Sequence, residues 1–200
     1  MAITNGYATL TQVKAALRIT DSVDDTLLEM ATESASRAID SYCNRVFYST
    51  GTDVTRYYAP RDSYLCDIDD MVSLTSLYTN TDSSQTSYTQ LWTSNDYQLE
   101  PLNGLSDSQP TPYTRIRAIG DFLFPTLDGE ASVKVTGVFG YASTPIAITQ
   151  STIIQASRIF KRLDSPLGII SGELGAMRVG SQLDPDVRQL VESYRKVRMA

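Results

Sequence analysis

Asp67 and Asp69, in "CDIDDM", come closest to a chemical motif. Residues two apart on a strand share a face, so their carboxylates would stand side by side, as a hard divalent cation wants. Such a cation takes six or more oxygens, and no third ligand is spaced to join them. A solvated strand end is the plainer reading. Asp82, among the serines and threonines of "TNTDSSQTS", lacks the acidic spacing and closing glutamate of a calcium loop. The chain has no histidine, which removes the commonest metal ligand and general base. Cys43 and Cys66 are too far apart in sequence for a redox or zinc pair and read as reduced, partly buried thiols. No nucleophile elbow, phosphate-binding glycine loop or dinucleotide fingerprint is present. The sequence therefore predicts no catalytic residue, no metal site and no cofactor. A metal-dependent enzyme built on Asp67 and Asp69 is the competing reading.

Charge points instead to protein partners. The formal net charge is −6. Residues 158–198 hold eight basic and five acidic side chains, a net +3, which leaves −9 for residues 1–157. An acidic body is a poor sequence-reading DNA binder, because phosphate contacts dominate such affinity. Opposite charges on one chain fit attraction between chains. Arg158, Lys161 and Arg162 gather in "ASRIFKR" at a helix end. There they complement the helix dipole or form a patch for an acidic partner or passing DNA. No apolar run approaches the roughly 18 residues of a membrane helix, and "MAITNGYATL" does not read as a signal peptide. These features predict a cytosolic protein without membrane contact.

The elements that position these residues follow from periodicity. "TLTQVKAAL" reads as a short helix, with Thr9 and Gln12 spaced as a capping box. A second helix over about 23–44 takes Asp21 or Ser22 as its cap, and Leu27, Leu28, Ala31, Ala35, Ala38, Ile39 and Tyr42 as its core stripe. From Phe47 to Tyr141 the chain turns to short threonine-, tyrosine- and valine-rich strands: "DVTRYYAP", "YLCDID", "VSLTSLYT", "SYTQLW", "DYQLEP", "YTRIRAI" and "ASVKVTGVF". Residues 72–92 read as a hairpin with a long polar tip. Helical spacing returns in "TPIAITQSTIIQASRIFKRL", capped by Thr149 or Ser151, with Ile153, Ile154, Ser157, Phe160 and Leu163 on one side. The predicted fold class is α+β: a small α-helical bundle with a β-rich insertion at about 47–141, the whole spanning 1–164. A C-terminal arm over 165–200 ends in a helix.

That arm contains "GELGAMRVGSQLDPDV", residues 172–187, with three glycines and no usable apolar period. Long structureless connections are uncommon inside compact domains. The glycines would let the chain leave the body. Asp184 and Pro185 would cap and open a final helix with Val187, Leu190, Val191 and Tyr194 on one side. Met177, Arg178, Val179, Leu183, Pro185, Val187, Leu190, Tyr194 and Arg195 are the candidate partner-binding residues. A contact of that helix within its own subunit is the other reading.

The order of these segments resembles the head-to-tail connector (adaptor) family of tailed bacteriophages. The likeness rests on "TLTQVKAALRITDSVDDTLLEMATESASRAIDSYCNRVF", the β stretch from "DYQLEPLNG" to "YTRIRAI", "VKVTGVFGYASTPIAITQSTIIQASRIFKR" and "LGAMRVGSQLDPDVRQLVESYR". None is a catalytic signature; their order carries the specificity. The resemblance implies a structural virion protein of the neck, assembled in the host cytoplasm. About twelve copies would form a homo-oligomeric ring beneath the portal protein. The C-terminal segment would reach the portal, and another face would receive a tail-side neck protein, a stopper or tail terminator. DNA would pass through without sequence-specific binding. A tail-completion protein or another non-catalytic binding module with an extended arm is the alternative.

Overall fold

The computed structural model describes residues 3–80, 87–106, 109–126, 130–163, 169–172, 175–178 and 183–196. It is an α+β protein whose residues form two compact units: 1–47 with 144–200, and 48–143.

In the first unit, helix α1 spans Leu10–Leu17 and α2 spans Asp25–Cys43. Helix α3 spans Ile146–Leu163. The capping box forms as predicted: Gln12 N–H donates to Thr9 Oγ1 at 3.2 Å, and Thr9 N–H donates to Gln12 Oε1 at 2.8 Å. Helix α2 starts later than predicted. Asp21 instead closes a local turn by accepting from Val23 N–H, and Asp24 takes the cap position without a side-chain bond. Asn44 ends α2 in the left-handed region, at φ 53°, which asparagine tolerates.

Helix α3 begins one turn before its predicted caps. Pro145 precedes it, and the Pro145 carbonyl accepts from Ile148 and Thr149 N–H. Proline lacks an N–H that the first turn would leave unpaired, so it opens a helix at little cost. The face that α3 buries is also not the isoleucine line: Ile148, Ser151, Thr152, Gln155 and Ala156 are buried, while Ile153, Ile154 and Phe160 are half-buried. On α2 the buried face is Leu28, Ala31, Thr32, Ala35, Ser36 and Ile39. Small side chains on both helices let their backbones approach. The buried hydroxyls of Thr32, Ser36 and Thr152 are satisfied by carbonyls one turn back.

The second unit is an antiparallel sheet. Its strands are β1 (Val54–Tyr58), β2 (Leu65–Thr79), β3 (Gln90–Trp92), β4 (Tyr97–Glu100), β7 (Tyr113–Ala118) and β8 (Val133–Phe139). The order is β1-β8-β2-β7-β4, with β3 beside the end of β2. A two-stranded ribbon, β5 (Leu105–Ser106) with β6 (Gln109–Pro110), lies between β4 and β7 in the chain. The two strands expected in "YLCDID" and "VSLTSLYT" are one 15-residue strand, β2, whose register shifts between Asp67 and Met71 against β7 and twice along β8. The polar hairpin tip at 81–86 lies outside the described residues. Strand β8 alternates buried and half-buried along its length, as a one-sided sheet requires. Its core is Cys66, Ile68, Met71, Leu77, Trp92, Ile116, Phe124, Val133, Val135 and Phe139. Trp92 stacks on Phe124 at 4.6 Å and donates its indole N–H to Thr79 Oγ1 at 2.9 Å. Gly140 closes β8 at φ 101°, where an added Cβ would stand 1.9 Å from the Tyr48 carbonyl oxygen. No other residue fits there.

The opening half of the arm is not structureless. Strands β9 (Ile169–Gly172) and β10 (Gly175–Arg178) pair antiparallel, with Gly172 opposite Gly175. Helix α4 (Pro185–Val191) continues into a 3₁₀ turn, Glu192–Tyr194.

Candidate functional site

Strand β2 presents Asp67 and Asp69 outward, and neighbouring strands bring a guanidinium to each. Arg115 Nε lies 2.9 Å from Asp67 Oδ1, and Arg56 Nη1 lies 2.6 Å from Asp69 Oδ2. Tyr58 donates its hydroxyl to Asp69 at 3.1 Å. Glu100 on β4 extends the array, 2.5 Å from Arg117 and 3.8 Å from Arg115. The hydrogen bond to Glu100 holds the Arg117 guanidinium still more firmly protonated. The two aspartates thus accept from arginines rather than converge on one cation. Among the described residues no group of three His, Cys, Asp or Glu could hold a metal ion. Cys43 and Cys66 are free and buried, and burial pushes each thiol up to about 12, far from a reactive thiolate at neutral pH.

A polar node ties the N-terminal segment to α2. Tyr7 donates its hydroxyl to Asp40 Oδ1 at 2.5 Å and accepts from Phe47 N–H at 2.9 Å. Arg37 reaches Glu33, Asp40 and the Asn5 carbonyl. Burial raises the Tyr7 hydroxyl and the Asp40 carboxyl above their ordinary ranges. These groups fix structure.

The candidate partner-binding residues divide into three groups. Met177 and Arg178 sit on β10, and Val179 lies outside the described residues. Val187 and Tyr194 are buried at 0% and 5% exposure, together with Val191. They pack within their own unit: Tyr194 meets Phe47 edge to face at 5.7 Å, and Lys196 N–H donates to the Cys43 carbonyl at 2.8 Å. Their side chains are therefore spent on the subunit. Pro185 and Arg195 are exposed, and Leu183 and Leu190 half-buried. Asp184 caps α4 by accepting from Asp186 N–H at 2.8 Å and forms an ion pair with Arg158. Arg158 thus has a partner beyond the dipole of α3.

Two features escaped the sequence reading. One is a cleft of about 350 Å³ in the β unit between Val72, Leu102, Asn103, Thr111, Tyr113 and Ala142, which carries no carboxylate, amine or guanidinium. The other is the solvent side of α2. Leu27, predicted for the core stripe, is 43% exposed while Leu28 is fully buried. Adjacent residues on a helix lie about 100° apart, and here Leu28 takes the core side while Leu27 falls on the outer one. Leu27 joins Met30 in one exposed apolar line, and Val23 stands in the turn that leads into it.

The chain shares its fold with a chain from the neck of an empty gene transfer agent particle computed with C6 symmetry. That match has TM-score 0.60 and 16% identity, and covers 100% of this chain and 95% of that one. A chain from the neck of the native particle, computed with C12 symmetry, matches at TM-score 0.54 and 18% identity over 100% and 94%. One from the virion of the native particle matches at TM-score 0.56 and 18% identity over 100% and 95%. No curated protein matches the chain. Residues 7–107 match the family model of the phage gp6-like head-tail connector protein. That match takes in the capped α1, all of α2 and strands β1 to β5, and with it the chain belongs to the phage gp6-like head-tail connector family.

Proposed function

We propose that the protein is a structural component of a virion neck that joins capsid to tail as a ring of about twelve copies beneath the portal. The observation that carries this reading is the connector-family match over residues 7–107. The full-length fold likeness to chains of C6- and C12-symmetric necks supports it. In this reading the body is a helical unit with the sheet inserted in it. Pro185 and Arg195, exposed residues of the terminal helical segment, meet the portal together with Met177, Arg178 and Val179, and another face meets a stopper or tail terminator. Assembly takes place in the host cytoplasm.

The DNA channel gains a candidate lining. Residues 48–143 hold five basic and twelve acidic side chains, a net −7. Two like charges about 4 Å apart repel by roughly 1 kcal/mol in water, and salt damps this over about 10 Å. Repeated around a ring, that repulsion keeps phosphate from adhering to the wall. Electron microscopy of the purified protein, alone and with a portal, tests the proposal. Rings of about twelve with an acidic lumen are expected. A protein that stays monomeric and ignores the portal, or a ring with a basic lumen, would contradict it.

A further inference from the structure

We infer that the solvent side of α2 is a contact between copies of the chain, met on the neighbouring copy by the basic last turn of α3. The inference rests on the ring reading above and names a surface for it.

The pattern on α2 inverts what an exposed helix face normally shows. Surface helices point charges at solvent and flank them with apolar residues. Here the fully exposed positions of α2 are Thr26, Leu27, Met30, Ser34 and Ser41, none of them charged. The five charged residues, Asp25, Glu29, Glu33, Arg37 and Asp40, are all half-buried. Several are engaged inside the unit: Asp25 with Lys14, and Arg37 with Glu33 and Asp40. Val23, at 86% exposure, precedes Leu27 at 43% and Met30 at 50%. Leu27 and Met30, three residues apart, share one line of the helix, and Val23 stands in the turn that leads into it. Beyond Met30 the line continues through Ser34 to Ser41, small enough for another helix to lie close. From Leu27 to Ser41 it runs roughly 21 Å at 1.5 Å per residue.

Charge argues for the occupant. The apolar end of this line is flanked by Asp24, Glu29 and Glu33. The surface that complements it is apolar or small at its centre and basic at its edge. The last turns of α3 place Arg158, Lys161 and Arg162 within five residues, with Arg158 and Lys161 exposed. Within one chain, α3 packs against α2, whose opposite face is the buried one. The outward line is therefore left for the α3 of a second copy. A contact between two different patches of the same chain is heterologous, and such contacts close into rings when their rotation allows. The symmetry of the neck assemblies that share this fold is of that kind.

Two variants test the inference, Leu27→Glu/Met30→Glu on α2 and Lys161→Glu/Arg162→Glu on α3. Each is examined with the wild type by native mass spectrometry and electron microscopy, alone and with a portal, and folding is followed by circular dichroism. The expected result is rings from the wild type, and from each variant a monomer that keeps the helical ellipticity of the fold. Rings from the α2 variant would overturn the inference and leave the ring reading standing. Rings lost in the α2 variant but kept in the α3 variant would overturn α3 as the occupant. A wild type that forms no ring under either condition would overturn the ring reading itself, and this contact with it.

Discussion

The helical unit carries twelve basic and eleven acidic side chains, a net +1, while the β unit carries a net −7. The two also hold themselves together differently. In the helical unit, polar groups are drawn inward and bind across long stretches of sequence: Tyr7 to Asp40, the Tyr7 N–H to Ser36, Arg158 to Asp184. In the β unit the main ion pairs lie on the exposed face of a sheet, between strands already paired by their backbones. Burial raises the worth of each polar contact, because a group left without a partner inside cannot turn to water. The same residue types should therefore matter more in the first unit than in the second.

Ending the chain after residue 182 gives the largest expected difference. It removes Val187, Val191 and Tyr194 from the helical unit, all nearly or fully buried. Each such side chain is worth about 2 kcal/mol, so the loss of about 6 kcal/mol rivals the stability of a whole domain. The truncated chain should lose much of its ellipticity at 222 nm. Retention of that signal would mean that α4 is a docked accessory rather than part of the core.

Core truncations come next. Phe47→Ala and Phe139→Ala, the second in the sheet core, should each cost about 3–5 kcal/mol. Phe47 is fully buried, with Tyr7 and Tyr194 edge-on against it. Trp92 is the single tryptophan and sits in the β unit, whereas the α-helices of the described residues lie in the other. Unfolding followed by tryptophan fluorescence therefore reports the sheet, and ellipticity at 222 nm reports the helices. Phe47→Ala should shift the helical transition further than the fluorescence transition. Equal shifts would show that the two units unfold as one.

Local signals were legible in the sequence and long-range ones were not. The Thr9–Gln12 box and the Asp184–Pro185 helix start involve neighbours in sequence, so residue types alone specify them. The β character of 47–141 was readable for the same reason. Strand β2 was read as two because Asp67, Asp69 and Asp70 interrupt its apolar run; arginines from β1 and β7 make two of those carboxylates compatible with a strand. The buried face of α3 was hidden because Ser151, Thr152 and Gln155 look polar until small residues on α2 are set against them. The fate of the terminal helix hung on its partner. Val187 and Tyr194 announce an apolar face, but nothing in their spacing says whose surface covers it.

The smallest expected effect sharpens the comparison most directly, because it sets two aspartate–arginine pairs against each other. Asp184 is 2% exposed and pairs with Arg158; Asp69 is 58% exposed and pairs with Arg56. Asp184→Ala removes a helix cap, which costs about 1 kcal/mol, and deprives Asp186 N–H of its acceptor in a partly buried setting. Arg158 is half in solvent and can turn outward, so no stranded charge is added. The total should be about 1–2 kcal/mol. Asp184→Asn keeps the cap and should recover most of it. Asp69→Ala removes an exposed pair, worth about 0.2–1 kcal/mol and screened by salt. Its remaining cost should vanish at 1 M salt, where the screening length is about 3 Å, while the cost of Asp184→Ala should persist. Urea unfolding of both variants at low and high salt measures this. Equal, salt-sensitive losses would erase the distinction between inward and outward polar contacts. A salt-resistant loss at Asp69 would mean that Tyr58, whose hydroxyl it accepts at 3.1 Å and whose own ionisation burial suppresses, is anchored by that aspartate more firmly than exposure suggests.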